Sequence, residues 1–336
     1  MLKYTVQNLQ EGWAVIDLHL HLDGSLPAAF IGELAGNQGV ALPENLEKAL
    51  KAPENCQSLD EYLQCFDLPL SLLQNAEALE QAAFTLCSLL YSQGLLYGEI
   101  RFAPQLHTRK GLTQRQAAEA VCRGAARAAL PVQVILCCMR GGPYPVNRET
   151  LDTAAALLGK GVCACDLAGA EGLYPTEEYR ELFACARSLG LPFTIHAGEA
   201  AGPGSIRAAL EMGAARIGHG VRAGEDSALL QELAARQVPL EMCLTSNVQT
   251  KAIKSPESFP LREYLQKGLC CTVNTDNMTV SGVNLREEYK KLAALGLTGE
   301  EKEALLINAA RAAFLPEEKR LAFEKEARAK GDNWPA

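Results

Sequence analysis

Short apolar runs rich in β-forming residues recur along the chain and alternate with segments of helical composition. Eight of these runs are predicted to be strands, at residues 14–20, 96–102, 132–139, 162–167, 192–196, 216–219, 239–244 and 269–275. Stretches rich in Ala, Leu, Glu and Arg lie between them, among them 114–130, 148–158, 176–189 and 205–211. Runs such as V-Q-V-I-L-C-C-M are almost continuously apolar, as buried parallel strands are. Eight strand–helix units therefore predict an α/β protein built as a closed (β/α)₈ barrel of the TIM type.

One connection is much longer than the others. Residues 27–93 separate the first two predicted strands and contain several helical stretches, including 59–74. Barrels of this kind carry their active site at the C-terminal face, so a long insertion after the first strand is predicted to form a lid. Tyr62, Leu63, Phe66 and Leu70 share one helical face of the insertion, and we expect most of them simply to pack it onto the barrel. Residues 285–336 are predicted to form charged terminal helices that complete a single domain over 1–336.

Composition narrows the classes of partner. The 336 residues are 48% hydrophobic, enough for one large core, and the formal net charge is −8. An acidic chain without a Lys/Arg block indicates neither nucleic acid nor an anionic membrane as a partner, and favours a small substrate. The N-terminal residues lack the apolar segment of a secretory signal, and no apolar run approaches the length of a membrane span. Twelve irregularly spaced cysteines, many within apolar runs, fit reduced core thiols and predict a cytoplasmic protein.

The first predicted strand carries the most informative polar pattern. Residues 16–25 read I-D-L-H-L-H-L-D-G-S, in which His19, His21 and Asp23 alternate with leucines. Side chains two apart on a strand share one face, so both imidazoles and the carboxylate project the same way. Two histidines on one face form half of a metal site, but the same alternation also suits the polar face of a half-exposed strand. The pattern alone leaves both interpretations open.

The remaining histidines favour the metal site. Of the five in the chain, His196 ends the fifth predicted strand in F-T-I-H-A-G-E and His219 ends the sixth in R-I-G-H-G. Asp276 follows the eighth strand in N-T-D-N. Because strand ends converge at one face of a barrel, these side chains and Glu199 should meet there, which scattered core histidines would not do. His107, in a stretch with basic neighbours, is expected to be an ordinary loop residue.

The donor types indicate the metal and its chemistry. The predicted ligands are His19, His21, His196 and Asp276. Three imidazoles, one carboxylate and no thiolate suit zinc with an open position for water, whose pKa would fall from 15.7 to roughly 7. Glu199, three residues beyond His196, is placed to shuttle protons, and burial beside a metal should raise its pKa. His219 is then a second polar group beside the water.

Seven short motifs occur in one order over most of the chain: H-L-H-L-D-G-S, C-C-M-R, D-L-A-G, H-A-G-E, G-H-G, T-S-N and N-T-D-N. From residue 16 to I-N-A-A-R-A-A-F-L at 307–315, the chain resembles the adenosine deaminase family of zinc amidohydrolases. Each motif alone is weak, but seven in order are specific. The resemblance implies one zinc ion per chain, a nucleoside substrate, and hydrolytic deamination of adenosine and 2′-deoxyadenosine to inosine and 2′-deoxyinosine. The barrel fold of that family agrees with the independent count of strands.

The resemblance also implies residue roles. His19, His21, His196 and Asp276 would bind zinc, with His21 also contacting the substrate. Glu199 would protonate N1 of the purine as hydroxide attacks C6. His219 would orient the attacking water and stabilise its charge, with Asp276 as a further acceptor for the proton. The backbone N–H of Gly169 would meet N3, and Asp23 would accept a hydrogen bond from a ribose hydroxyl.

Asn277 departs from the better-known animal pattern, in which two aspartates are consecutive. The second residue of that pair would face N7, which is an acceptor. Asn donates from its amide at any pH, whereas a carboxylate donates only when protonated. We therefore expect recognition of the purine to be preserved, as in a bacterial-type branch of the family, while affinity and pH profile stay open.

Other functions are weighed against this interpretation. A related branch that deaminates adenine tends to carry Glu in H-x-H-x-E-G, so Asp23 and N-T-D-N favour the nucleoside, although another 6-aminopurine remains an alternative. A non-catalytic nucleoside-binding protein would usually lack a ligand or the acid, and this chain retains them. The unrelated cytidine-type deaminases use H-x-E with P-C-x-x-C, which this chain lacks. Asp166 is expected to hold the loop before Gly169, and Ser246 and Asn247 to end the seventh strand in supporting roles. No oligomeric state is predicted.

Overall fold

Eight parallel strands form the centre of the molecule. The computed structural model describes residues 15–330, and its strands are β1 (Val15–His21), β2 (Leu95–Phe102), β3 (Val132–Met139), β4 (Val162–Ala168), β5 (Thr194–Ala197), β6 (Arg216–His219), β7 (Leu240–Met242) and β8 (Cys271–Val273). Each predicted strand is present. The predicted bounds were too long for β5, β7 and β8, and residue 14 of the first predicted strand lies outside the described residues.

The strands close into a barrel. They pair in the order β1-β2-β3-β4 and β5-β6-β7-β8, and every pair is parallel. Backbone hydrogen bonds join the two halves: Cys165 N–H donates to Pro192 O (3.0 Å), and at the other seam His21 N–H donates to Asp276 O (2.7 Å) and Asp276 N–H to His19 O (2.8 Å). The predicted (β/α)₈ barrel is confirmed. Its second seam also brings two candidate ligands against a third.

Helices surround the strands and fill the long connection. They are α1 (Ala28–Gln38), α2 (Leu46–Ala49), α3 (Leu59–Leu63), α4 (Asp67–Leu72), α5 (Ala76–Ser92), α6 (Gln114–Ala126), α7 (Tyr144–Leu157), α8 (Arg180–Ser188), α9 (Pro203–Met212), α10 (Ser227–Arg236), α11 (Leu244–Gln249), α12 (Leu261–Gln266), α13 (Met278–Ser281), α14 (Leu285–Ala294), α15 (Gly299–Ala312) and α16 (Glu317–Lys330). Short 3₁₀ turns lie at Gln64–Phe66, Pro104–His107, Thr176–Tyr179, Val221–Glu225 and Pro256–Ser258. Among the described residues, none of these helices has the length and apolar character needed to cross a bilayer.

Local sequence explains where the helices begin and how they pack. The Thr113 hydroxyl accepts from the Gln116 N–H and the Gln116 side chain accepts from the Thr113 N–H, a capping box that starts α6. Buried residues on α5 recur every three or four positions, and the helix packs against α6 and β2. A Cβ on Gly124 would lie 2.1 Å from the Glu80 carbonyl oxygen, so only glycine allows α5 and α6 to approach this closely.

The insertion between β1 and β2 folds as α1–α5 and is tied to the barrel at several points. The imidazole of His107 is fully buried, and its Nδ1–H donates to Leu73 O at 2.7 Å. The prediction that His107 is an ordinary loop residue was therefore wrong: it fastens the insertion to the turn after β2, and its burial lowers its pKa to about 4. Tyr62 reaches from α3 to Ser281 on α13, with 2.7 Å between the two hydroxyl oxygens.

The C-terminal segment forms α14, α15 and α16 up to residue 330. Three alanines at the end of α15 and just after it pack against Ile16 of β1 and Tyr97 of β2; they are Ala309, Ala310 and Ala313. The end of α15 therefore packs against β1 and β2, while α14 and α15 also contact β8. Residues 331–336 of the predicted tail lie outside the described residues.

Candidate metal centre and active site

Four side chains converge at the C-terminal ends of the strands. The ring nitrogens of His19, His21 and His196 and a carboxylate oxygen of Asp276 all lie within 4.8 Å of one another. His21 Nε2 is 3.2 Å from His196 Nε2, and Asp276 Oδ1 is 3.4 Å from His21 Nε2 and 3.5 Å from His19 Nε2. The structure thus brings together all four residues that the sequence predicted as ligands.

This cluster fits a metal ion by its own chemistry. His19 Nε2 is buried and has no hydrogen-bond partner within the described structure, which is costly for a polar atom unless a ligand satisfies it. Burial lowers the pKa of His19 to about 4 and that of His21 well below its usual value. Both rings are therefore neutral at pH 7, the form in which imidazole binds metals.

Buried carboxylates orient two of the histidines. Glu241 Oε2 lies 2.7 Å from His19 Nδ1, and Asp166 Oδ2 lies 3.0 Å from His196 Nδ1. Arg101 joins the two acids, because its guanidinium contacts Asp166 and Glu241 at 2.9 Å each. Since each Nδ1–H donates to a carboxylate, each Nε2 is left to face the cluster. Fully buried Arg101 thus pairs with the supports of both ligands, and buried Arg216 also pairs with Glu241, at 2.6 Å.

The general-acid candidate lies on the other side of the cluster. Glu199 Oε2 is 3.5 Å from His219 Nε2, and Glu199 Oε1 accepts a hydrogen bond from the Thr250 hydroxyl at 3.0 Å. Asn247 Nδ2 lies 2.9 Å from His219 Nδ1; because an amide nitrogen only donates, Nδ1 accepts and the ring proton is on Nε2. Burial raises the pKa of Glu199, and the neighbouring His219 lowers it by less.

The short helix α11 supports Asp276 and His219. Its Ser246 hydroxyl donates to Asp276 Oδ2 at 2.5 Å, and Asn247 on the same helix holds His219. The sequence placed Ser246 and Asn247 at the end of the seventh strand. That placement was wrong, because β7 ends at Met242 and both residues lie on α11.

Backbone geometry at two strand ends is unusual. His219 and Asp276 both have φ of 62°, a left-handed conformation that residues other than glycine rarely adopt. Such strain costs on the order of 1–3 kcal/mol per residue and is typical of functional sites. Here it turns both side chains from the strand direction towards the shared cluster.

A pocket opens above the cluster, enclosing about 800 Å³ including the part that opens to solvent. Eight of the nine predicted site residues line it: His21, Asp23, Gly169, His196, Glu199, His219, Asp276 and Asn277. His19 lies beneath, fully buried. Burial raises the pKa of Asp23 to about 6.

Apolar side chains from the insertion form the opposite wall. Tyr62, Leu63, Phe66 and Leu70 all line the pocket, as does Leu59. The expectation that most of them serve only to pack the insertion onto the barrel was wrong. The insertion contributes a wall of the site itself.

Comparison with known proteins is consistent with this site. The family model described as adenosine deaminase matches residues 15–329. The chain belongs to the adenosine deaminase family. It is 48% identical over 325 residues to an adenosine deaminase of Haemophilus ducreyi, covering 93% of this chain and 94% of that one, and 38% identical over 320 residues to an adenosine deaminase of Enterococcus faecalis, covering 92% and 95%. The crystal structure of an adenine deaminase from Arthrobacter aurescens superposes with a TM-score of 0.86 at 27% identity, covering 94% of this chain and 98% of that one.

Several residues to which the sequence analysis gave no role in the metal site support it. Asp166 does accept a hydrogen bond from the N–H of Leu167 at 2.7 Å, but the same carboxylate also holds His196 and Arg101. Arg101 and Glu241 carried a signal, because each is a charge inside an otherwise apolar strand.

Two further residues carried little signal in the sequence. Glu171 lies in the loop after β4, and its carboxylate accepts hydrogen bonds from the segment that carries Glu199. A Cβ on Gly24 would lie 1.9 Å from Asn277 Oδ1, so this glycine leaves room for the Asn277 side chain. Both contacts join segments that are far apart in the chain, and local sequence patterns do not predict contacts of this kind.

Proposed function

We propose that this protein hydrolytically deaminates adenosine and 2′-deoxyadenosine, giving inosine or 2′-deoxyinosine and ammonia. The observation that carries the proposal is the geometry of one pocket. A buried acid with a raised pKa, Glu199, faces His219 across 3.5 Å beside a three-histidine, one-carboxylate cluster. Hydrolysis at C6 of a purine needs these parts: a water activated at neutral pH, a proton donor, and a donor that stabilises developing negative charge.

We assign the metal as a single zinc ion per chain, held by His19, His21, His196 and Asp276. Imidazole with one carboxylate is a donor set that suits zinc, and the unpartnered His19 Nε2 is consistent with a ligand at that position. When bound, zinc acidifies water and so supplies a nucleophile near neutral pH.

The side chains of the pocket carry the proton transfers. Glu199, whose pKa is raised by burial, donates its proton to N1 of the purine, which makes C6 electrophilic. His219, with its proton on Nε2, donates to the attacking oxygen and stabilises its charge. Asp276 accepts the proton that the water loses, and the Ser246 hydroxyl fixes the orientation of its carboxylate. The proton held by Asp276 then passes to the exocyclic nitrogen, and ammonia leaves as the C6 hydroxyl forms the carbonyl and returns its proton to Glu199.

Recognition of the purine and the sugar uses the remaining polar residues. The N–H of Gly169 donates to N3, the Asn277 amide donates to N7, and His21 lies against the ring. Asp23 accepts from a ribose hydroxyl. The apolar wall of the insertion covers the base and excludes water, so we propose that residues 27–93 act as a lid on one domain.

Charge in the pocket favours a nucleoside over a nucleotide. Among the described residues that line it there is no lysine or arginine, while Asp23, Glu199 and Asp276 are acidic. A phosphate would find no cationic partner there. Adenine remains the second candidate, since a structural neighbour is an adenine deaminase, but Asp23 would then lack its ribose partner.

We also place the reaction in the cytoplasm. All twelve cysteines are free in the structure, which is consistent with a reducing compartment.

The test is loss of absorbance near the adenosine band, with ammonia release measured in parallel, using zinc-loaded protein. Adenosine and 2′-deoxyadenosine should turn over rapidly, adenine and AMP hardly at all, and the Glu199→Gln variant should lose nearly all activity. No turnover of adenosine by the zinc-loaded wild type would reject the proposal, and preference for adenine would replace it with the second candidate.

A further inference from the structure

The segment that carries the acid is held by a buried carboxylate outside the pocket. Four consecutive backbone N–H groups, those of residues 198–201, donate to the side chain of Glu171. The distances are 2.7 Å from Gly198 to Oε1, and 3.0, 2.7 and 2.9 Å from Glu199, Ala200 and Ala201 to Oε2. Glu171 is only 2% exposed and does not line the pocket, so it is unavailable to a substrate.

Further contacts hold both ends of the same segment. The Ser205 hydroxyl, at the start of α9, also donates to Glu171 Oε1, at 2.5 Å. Five donors saturate a carboxylate, which offers about four lone-pair sites. At the other end Arg140 donates to the carbonyl oxygen of His196 at 2.7 Å and to the Thr176 hydroxyl, which lies 2.6 Å from Ser205 Oγ. The Glu171 carboxylate thus binds the amides of residues 198–201, while the Arg140 guanidinium binds the carbonyl of His196 just before them.

We propose that Glu171 is a positioning residue for Glu199: by binding the amides of 198–201 it fixes the backbone from which the acid reaches N1 of the purine. The inference rests on the proposed function, since it assumes that Glu199 is the acid. Glu171 touches neither substrate nor a metal-ligand side chain, and its hydrogen bonds to residues 198–201 are all to backbone N–H groups.

Both oxygens of the carboxylate are needed for this role. Gly198 and Ser205 use one oxygen, and the next three N–H groups use the other. A glutamine has the same shape but must turn its NH₂ group, a donor, towards one of these two sets of donors. The segment would then shift, while His196 keeps its own supports in Asp166 and Arg140.

That separation predicts a specific kinetic signature. Displacing an acid by about 1 Å costs on the order of a hundredfold in rate. Glu171→Gln should therefore lower kcat about a hundredfold, leave KM for adenosine within threefold, and leave one zinc per chain. A general loosening of the structure would instead lower zinc content and raise KM as well.

The experiment measures kcat, KM and zinc content for Glu171→Gln, with Glu177→Gln as the matched control. Glu177 is an exposed glutamate six residues away, so its substitution should change nothing. The same change is then made in the Glu199→Gln background, with rates taken at high enzyme concentration. If Glu171 acts through Glu199, the second substitution should cost less than threefold there, because the group it positions is already gone.

Each outcome decides the inference. The inference is overturned if the kcat of Glu171→Gln stays within threefold of wild type, or if this variant loses its zinc. It is also overturned if the substitution lowers the rate equally in the wild-type and Glu199→Gln backgrounds. If Glu171→Gln does not fold, Glu171→Asp keeps the charge but withdraws it by one methylene, and kcat should still fall at least tenfold with zinc retained; unchanged kcat would overturn the inference. A wild type inactive on adenosine would reject the proposed function and this inference with it, whereas an active wild type with an unaffected variant rejects this inference alone.

Discussion

Gly24 provides a sharp test of how the pocket positions Asn277. A Cβ at this position would lie 1.9 Å from Asn277 Oδ1, 2.7 Å from Asn277 Cγ and 2.9 Å from Phe66 Cε1. The backbone of Gly24 is not in the left-handed region, so alanine adds steric conflict and no backbone strain. Real contacts of a Cβ essentially never fall below 3.0 Å, so the amide of Asn277 must move by more than about 1 Å.

The size of the effect follows from that displacement. Losing one neutral hydrogen bond to N7 costs about 1 kcal/mol, or about fivefold in kcat/KM. A shift of about 1 Å transmitted to the neighbouring Asp276 raises the loss towards a hundredfold. Gly24→Ala should therefore lower kcat/KM for adenosine by about 5- to 100-fold, and overpacking should lower the free energy of unfolding by about 1–3 kcal/mol.

The control is the same substitution at Gly36, near the end of α1, where a new Cβ would meet nothing within 4 Å. Gly36→Ala should keep full activity and stabilise the protein by about 0.5–1 kcal/mol, because alanine is the better helix former. In an Asn277→Ala background, Gly24→Ala should cost little further activity, because the Asn277 Oδ1 and Cγ atoms that the new Cβ would clash with are absent. Activity of Gly24→Ala within twofold of wild type would refute this account of Asn277.

Three further predictions concern the acid and the supports of the ligands. Burial raises the pKa of Glu199, and an acid works only while protonated, so kcat should fall as pH rises through that raised pKa. A pH–rate profile with no alkaline fall that depends on Glu199 would contradict this. Thr250→Val removes the hydroxyl that holds Glu199 Oε1 and should lower kcat about 3- to 10-fold with KM unchanged, while Thr250→Ser, measured in the same assay, should retain activity. Asp166→Asn should weaken zinc binding 10- to 100-fold in a chelator competition, whereas Asp152→Asn, on the exposed face of α7, should bind zinc like wild type; equal affinities for both variants would show that Asp166 does not support His196.

The strands and the converging histidines could be predicted because both depend on local pattern and one rule of topology. His19 and His21 could be recognised because they alternate with leucines along β1. His196 and His219 could be recognised because each ends an apolar run. Parallel strands in a barrel then bring their C-terminal ends together. Asp276 needed only the same rule.

The supports of the site could not be predicted in the same way. Arg101 joins Asp166 and Glu241, which are 65 and 140 positions away in the chain, and such pairings depend on how the barrel closes. Glu171 binds backbone N–H groups of another loop. Every residue except proline has such a group, so the sequence of that loop does not indicate the contact. Both cases involve buried polar groups satisfied across strands or loops.

The boundaries of the short strands and helices could not be predicted from the hydrophobic pattern alone. The apolar run 239–244 was predicted as one strand, but β7 ends at Met242 and α11 begins two residues later, at Leu244. Apolar residues suit a buried strand and a buried helix equally, so periodicity does not locate the boundary. The apolar face of the insertion was correctly predicted as helical, but periodicity alone does not say whether such a face packs on the barrel or lines a pocket.

Titration of zinc into metal-free protein, with adenosine turnover as the readout, tests the central claim most directly. Four residues of one chain form the cluster, so activity should rise linearly to one zinc per chain and then stay constant. A His196→Ala variant should show no such rise up to the same equivalence point. Full activity without zinc, or a rise that continues well beyond one equivalent, would contradict the assignment of this pocket as a single-zinc deaminase site.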